Sequence, residues 1–160
     1  MKELTFQEDE LIVSKTDTKG IITYGNDLFL QMTGYKETDI LGSPHNIIRH
    51  PDMPKIIFKL LWETVQAGKE IYAYVVNRSL GGDYYWVFAN ITPSYDSNGK
   101  IVGYYSVRRK PTTKALEIIK PLYKKLLEAE KSAGVLASEK ILNQLIASKG
   151  GRYDKFILSF

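Results

Sequence analysis

The chain has 160 residues and a mass of 18.2 kDa, room for one domain and an appendage but not for two full domains. With 44% hydrophobic, 25% charged and 12% aromatic residues it can bury a core, which excludes wholly disordered, collagen-like and coiled-coil chains. Cysteine is absent, so disulfides, thiolate zinc sites, iron–sulfur clusters and cysteine nucleophiles are excluded, and any redox chemistry must come from a cofactor.

The opening MKELTFQEDEL is too acidic for a secretory leader, and no stretch approaches about 18 uninterrupted apolar residues. A cytoplasmic protein without membrane insertion is expected. The net charge of +4 suggests nucleic acid until it is divided along the chain. Residues 1–110 hold 13 basic and 13 acidic side chains, whereas residues 111–160 hold 9 and 5. The excess belongs to the tail, where Lys114, Lys120, Lys124, Lys125 and Lys131 are spaced as a solvated helix face, so no nucleic-acid partner is expected.

In chain order, LIVSKTD from Leu11, a turn at Lys19-Gly20 and IITY predict a hairpin. Asn26 is the N-cap and Gly34 the stop of a short helix through FLQM, and Thr38-Asp39 open another turn of helix that Gly42 ends. SPHNIIRHPDMP, residues 43–54, carries three prolines and two histidines and predicts a loop with at most one helical turn. KIIFKLLWETVQAG places Ile56, Leu60, Leu61 and Val65 at helical spacing before Gly68. Three strands follow in IYAYVVNRS, DYYWVFANITPSY and KIVGYYSVRR, joined by hairpins at Gly81-Gly82 and Asp96 to Gly99. The order predicts an α+β fold: one five-stranded antiparallel sheet with helices on one face.

The body is expected over residues 1–110 and a helical tail over 111–160. In the tail, Leu116, Ile119, Leu122, Leu126 and Ala129 form an amphipathic stripe that Pro121 divides or kinks. A second helix is expected over 138–148. The apolar end FILSF reads equally as a docking surface or as a segment folded back on the core. If it docks to a partner, removing residues 134–160 leaves the body intact.

The candidate site centres on RHPDMP. Arg49, His50 and Asp52 put three polar groups within four residues on a loop held by Pro51 and Pro54. Arg49 can donate two hydrogen bonds to a phosphate or a ring carbonyl, and His50 can donate or accept. The plainer reading has Asp52 capping the next helix and pairing with Arg49. Phe58 and Trp62, four apart on one helix face, can wall a flat ring or simply pack. Asn77 and Asn90 are amides in otherwise apolar strands, costly to bury unless hydrogen-bonded.

The segments ITYGNDLFLQMTGY, LGSPHNIIRHPDMPKIIFKLLW, VVNRSLGGDYYWVFANITP and GYYSVRRKPT followed by PLYK resemble the aerotaxis-receptor class of PAS domain over roughly residues 11–125. The resemblance implies a PAS fold, non-covalent FAD, and roles toward it for Arg49, His50 and Asp52, for Asn77, and for Asn26 and Trp86 at matching positions. It departs at the start of the third strand, where Ile71 stands in place of a frequent Trp and Tyr72 points to the other face. Some PAS domains bind haem, for which His45 and His50 are the available imidazoles.

The function implied is a non-enzymatic redox sensor for energy taxis. It is expected to signal to a separate, membrane-bound methyl-accepting chemotaxis-type transducer and to leave room for a homodimer. The alternatives are a PAS dimerisation or scaffold module without redox role and a haem-binding sensor. A flavin reductase lacks support, because no Gly-rich dinucleotide loop is present.

Overall fold

The hairpin at Lys19-Gly20 is fixed by Asp17, whose carboxylate accepts from the amides of Lys19 and Ile21 at 2.8 and 3.0 Å while Gly20 adopts φ 82°. It joins β1 (Ile12–Thr16) to β2 (Ile22–Gly25). The computed structural model describes residues 1–160. α1 (Asp27–Thr33) ends at Gly34 in the left-handed conformation, and α2 (Glu37–Ile40) is a single turn. The Ser43–Pro54 stretch contains one 3-10 turn, His45–Ile48, before α3 (Lys55–Gln66). β3 (Ile71–Arg78), β4 (Tyr84–Tyr95) and β5 (Ile101–Arg109) complete the sheet.

Strand order across the sheet is β2-β1-β5-β4-β3, and every neighbouring pair is antiparallel. The long connection through the helices therefore carries the chain from one edge to the other. Gly103 allows β5 its approach to β1, since a Cβ there would lie 2.2 Å from the Thr16 carbonyl oxygen. Period-two alternation assigns the faces. Register pairs Asn77 with Tyr85, Val75 with Val87 and Ala89 with Arg108, and these residues face the helices. Pairs Val76–Trp86 and Tyr74–Phe88 face the other way.

The tail forms α4 (Thr113–Ala133), α5 (Val135–Ser148) and α6 (Tyr153–Ile157). Pro121 does not divide two helices: α4 runs through it. Pro121 and Glu117, whose carbonyl loses its partner, both lie on the exposed side, where that carbonyl is open to solvent. The second tail helix starts three residues earlier than expected, immediately after Gly134 at φ 86°. The buried stripe of α4 is Ala115, Ile119, Tyr123 and Leu126.

The terminal FILSF folds back. Phe156 and Ile157 are buried, and the Phe160 ring stacks 5.9 Å from Tyr74. A single cluster of 24 buried residues joins Ile12, Phe29, Ile57 and Val87 of the body to Ile119, Leu126, Leu142, Phe156 and Ile157 of the tail, so the tail completes the core rather than hanging from it. The tail also covers the free edge of β3, where the carbonyls of Tyr74 and Tyr72 accept from the hydroxyls of Tyr123 and Tyr153.

Candidate functional site

Between the helix-facing side of the sheet and α3 lies a cavity of about 530 Å³, within the roughly 300–1,000 Å³ range of small-molecule sites. Phe58, Leu61, Trp62 and Val65 line it from α3, one turn above another as their spacing requires. The strands contribute Val75, Asn77, Ala89 and Ile91 on one side and Ser14, Tyr104, Ser106 and Arg108 on the other. The Trp62 and Tyr104 rings meet edge-on at 5.2 Å and stiffen that wall.

Four of the nine expected site residues line this cavity: Arg49, Phe58, Trp62 and Asn77. Arg49 is exposed at the rim, stacks its guanidinium 3.7 Å over the Phe58 ring, and forms an isolated bridge to Asn77 that ties the loop to β3. Asn77 is buried and faces inward. Beside it the Tyr85 hydroxyl, pushed up to about 12 by burial and drawn back by Arg108 and Asn77, completes no hydrogen bond of acceptable geometry.

The other five lie elsewhere. Trp86 and Asn90 are one residue out of phase with Tyr85, Val87, Ala89 and Ile91, so the pleat turns them to the opposite face. There Trp86 packs on Tyr123 and Asn90 donates to Glu70 at 3.3 Å. Asn26 acts as the helix cap: its side-chain oxygen accepts from Phe29 and Val13, both at 3.0 Å, and its amide donates to the Leu11 carbonyl. His50 packs its ring on Tyr84 and accepts the Asp52 amide at 3.0 Å through Nδ1. Asp52 is exposed beside His50 and neither pairs with Arg49 nor caps α3.

The cap of α3 comes from the tail. The helix follows Pro54, which has no capping side chain, and Glu130 of α4 accepts the amides of Lys55 and Ile56 at 2.8 and 3.1 Å. Ser138 of α5 donates to the same carboxylate at 2.7 Å. The loop that carries Arg49 is thus bounded by β3 on one side and by a tail-anchored helix on the other.

Sequence reasoning missed a polar group on the sheet wall. Arg108 is 3% exposed and donates to Ser14 Oγ at 2.6 Å and to His45 Nε2 at 3.3 Å. Because arginine only donates, Nε2 is the accepting nitrogen of His45, and Ser14 Oγ lies 3.1 Å from the same atom. His45 is half-buried as a residue but turned inward, and burial with the adjacent Arg108 charge pushes its pKa down to about 3. An imidazole so engaged is a poor haem ligand, and His50 is outside the cavity. The available signal was alternation: Tyr104, Ser106 and Arg108 share the face that must point inward.

The family model of the PAS fold matches residues 22–108, from the start of β2 to the penultimate residue of β5. The aerotaxis receptor of Escherichia coli (strain K12) is 41% identical over 143 residues, 89% of this chain and 27% of the receptor, so the chain spans about a quarter of that relative. The nitrogen fixation regulatory protein of Klebsiella pneumoniae is 25% identical over 103 residues, 64% of this chain and 21% of that protein. Among solved structures, the light state of the blue-light photoreceptor Aureochrome1 LOV superposes with a TM-score of 0.60 at 24% identity, covering 69% of this chain and 88% of that one. A light-oxygen-voltage domain studied with a flavin analogue gives the same TM-score at 19% identity, covering 72% and 86%. No helix is long and apolar enough to cross a membrane. The sheet order, the helical cover on one face and the matched segment lead to one conclusion: the chain belongs to the PAS family.

Proposed function

We propose that this PAS domain is a redox sensor of the taxis machinery, holding FAD in the cavity between α3 and the sheet and relaying its redox state to the cytoplasmic part of a chemotaxis transducer. The observation that carries the reading is the cavity wall itself: beside the apolar surfaces of Phe58, Trp62 and Ile91 stand buried polar groups that the protein leaves unpaired. Ser106 Oγ and Arg108 Nε have no partner, and the Asn77 amide faces the same space. Buried groups in this state cost about 1–3 kcal/mol each unless a bound molecule pairs with them. A flat ring with a mixed donor and acceptor edge matches that combination of walls. The 41% identity to an aerotaxis receptor supports the taxis role, and the solved light-oxygen-voltage neighbours support a flavin-sized site on this fold.

When bound, FAD supplies reversible uptake of electrons and a proton. The chain's own residues position and shield it. Phe58 and Trp62 supply flat contact, Asn77 reads the ring edge, and Arg49 at the rim faces the part of the molecule nearest solvent. A change in hydrogen bonding at Asn77 is transmitted along β3, whose other edge is held by Tyr123 and Tyr153 of the tail. Bound in this way, the cofactor needs no catalytic residue acting on a substrate.

The test is the ultraviolet-visible spectrum of the purified protein in air and after dithionite, with the cofactor released by denaturation and identified by chromatography. The expected result is a flavin spectrum that bleaches on reduction, with FAD in the supernatant. A colourless protein that takes up no added FAD, or a Soret band, overturns the reading.

A further inference from the structure

Arg108 is the one charge buried in the sheet wall, and no acid answers it. The ion pairs of the molecule are Lys59–Glu139, Lys120–Glu3 and Arg152–Asp154, all of them elsewhere. Its hydrogen bonds go to neutral Ser14 and His45, two of the five donors a guanidinium carries, and Nε has no partner. The Phe29 ring, 5.3 Å away, adds a cation–π contact but no negative charge. Burial draws the guanidinium pKa down to about 10, which still leaves it charged at neutral pH.

A lone buried ion costs several kcal/mol, and an apolar side chain of the same volume is usually at least as stable. Nothing around Arg108 depends on it for pairing, because Ser14 Oγ can donate to His45 Nε2 at 3.1 Å without it. Folding therefore does not account for the charge. Its position does: Arg108, Ser106, Ser14 and His45 together line the cavity.

We propose that Arg108 is the anion-binding residue of the cavity, a fixed guanidinium on the sheet wall that holds the negative charge of the bound molecule. The identity of that molecule rests on the flavin reading. A ring that takes up two electrons from an electron carrier and one proton from water gains one net negative charge. Arg108 favours this reduced state over the neutral oxidised ring and so raises the reduction potential.

The experiment compares wild type, Arg108→Met and Arg108→Lys, each stripped of ligand for thermal melting and each loaded with FAD for reductive titration with dithionite against a reference dye. The stripped Met variant is expected to melt at or above wild type, since an unpaired buried charge is gone. When loaded, it should bind the reduced ring at least tenfold more weakly relative to the oxidised ring, a fall of about 30 mV for a two-electron couple. The Lys variant should keep most of the wild-type potential. Loss of flavin from the Met variant with retention in the Lys variant also supports the charge.

A stripped Met variant that melts several degrees below wild type makes Arg108 structural and overturns the proposal. So does a loaded Met variant with the wild-type potential, or loss of flavin from both folded variants, which would make shape rather than charge decisive. Should wild type take up no flavin, the flavin reading falls alone. The anion site is then judged on the stripped proteins with inorganic pyrophosphate: a rise in melting temperature in wild type and not in the Met variant supports it, and equal behaviour overturns it.

Discussion

The cavity wall and the seam between tail and body use similar residues but treat polar groups in opposite ways. Along the seam every such group is answered: Tyr123 and Tyr153 reach the β3 carbonyls, and Glu130 takes two α3 amides and the Ser138 hydroxyl. On the sheet wall Tyr85, Ser106 and Arg108 each keep an atom without a partner. The seam is closed by the chain alone, whereas the wall leaves polar atoms that the chain itself does not pair. Unpaired buried polarity thus separates a binding surface from a packing surface within one small domain.

The sharpest way to break this contrast is to remove the seam. Deleting residues 134–160 takes away Leu142, Phe156 and Ile157, all buried in the main cluster. At about 1.5–3 kcal/mol per buried apolar side chain, the loss is on the order of the whole stability of a domain. The expected outcome is an insoluble or molten protein in urea and thermal unfolding. A truncated form that melts cooperatively near wild type would make the tail an appendage.

A smaller effect probes the wall. Below pH 6.5 the unfolded chain takes up a proton at His45 that the folded chain refuses until about pH 3, so stability is full above that window and falls as pH drops through it. The loss is up to about 1.4 kcal/mol per pH unit, and less because the residue keeps some water contact. Urea unfolding from pH 7 to pH 4 should therefore fall more steeply for wild type than for His45→Asn. Parallel curves would mean that His45 is solvated.

Smallest is the clasp. Glu130→Gln keeps the shape but weakens acceptance of the Lys55 and Ile56 amides and removes a charge from the α3 N-terminus, for a loss of about 1–2 kcal/mol. Amide exchange should quicken in the first turn of α3 and leave β4 and β5 unchanged.

The strands were legible because alternation and glycine turns are local signals: Gly20, Gly81-Gly82 and Gly99 fall where the hairpins are. α3 was legible from its helical spacing, which put Phe58 and Trp62 on one face without saying whether that face lines a cavity or packs. What failed depends on partners distant in sequence. Glu130 looks like any acid on a solvated helix, yet it caps a helix 75 residues away. The segment Arg108 to Lys110 looks like a run of surface charge, and only the register of β5 on β4 turns its first member inward. Trp86 stands at a matching family position and Asn90 is an amide in an apolar strand, but strand parity turns both to the opposite face. FILSF could not be assigned from sequence because an apolar end is the same string whether its cover is this core or another chain.

The most direct measurement is nuclear magnetic resonance of the isotope-labelled, ligand-stripped protein titrated with FAD, following the Asn77 side-chain amide, the Arg108 Nε–H and the two indole N–H groups. Binding of FAD between α3 and the sheet predicts saturable shifts at Asn77, Arg108 and Trp62, with Trp86 on the opposite face nearly still. Shifts concentrated at Trp86 and Asn90, with the cavity signals unmoved, would contradict it.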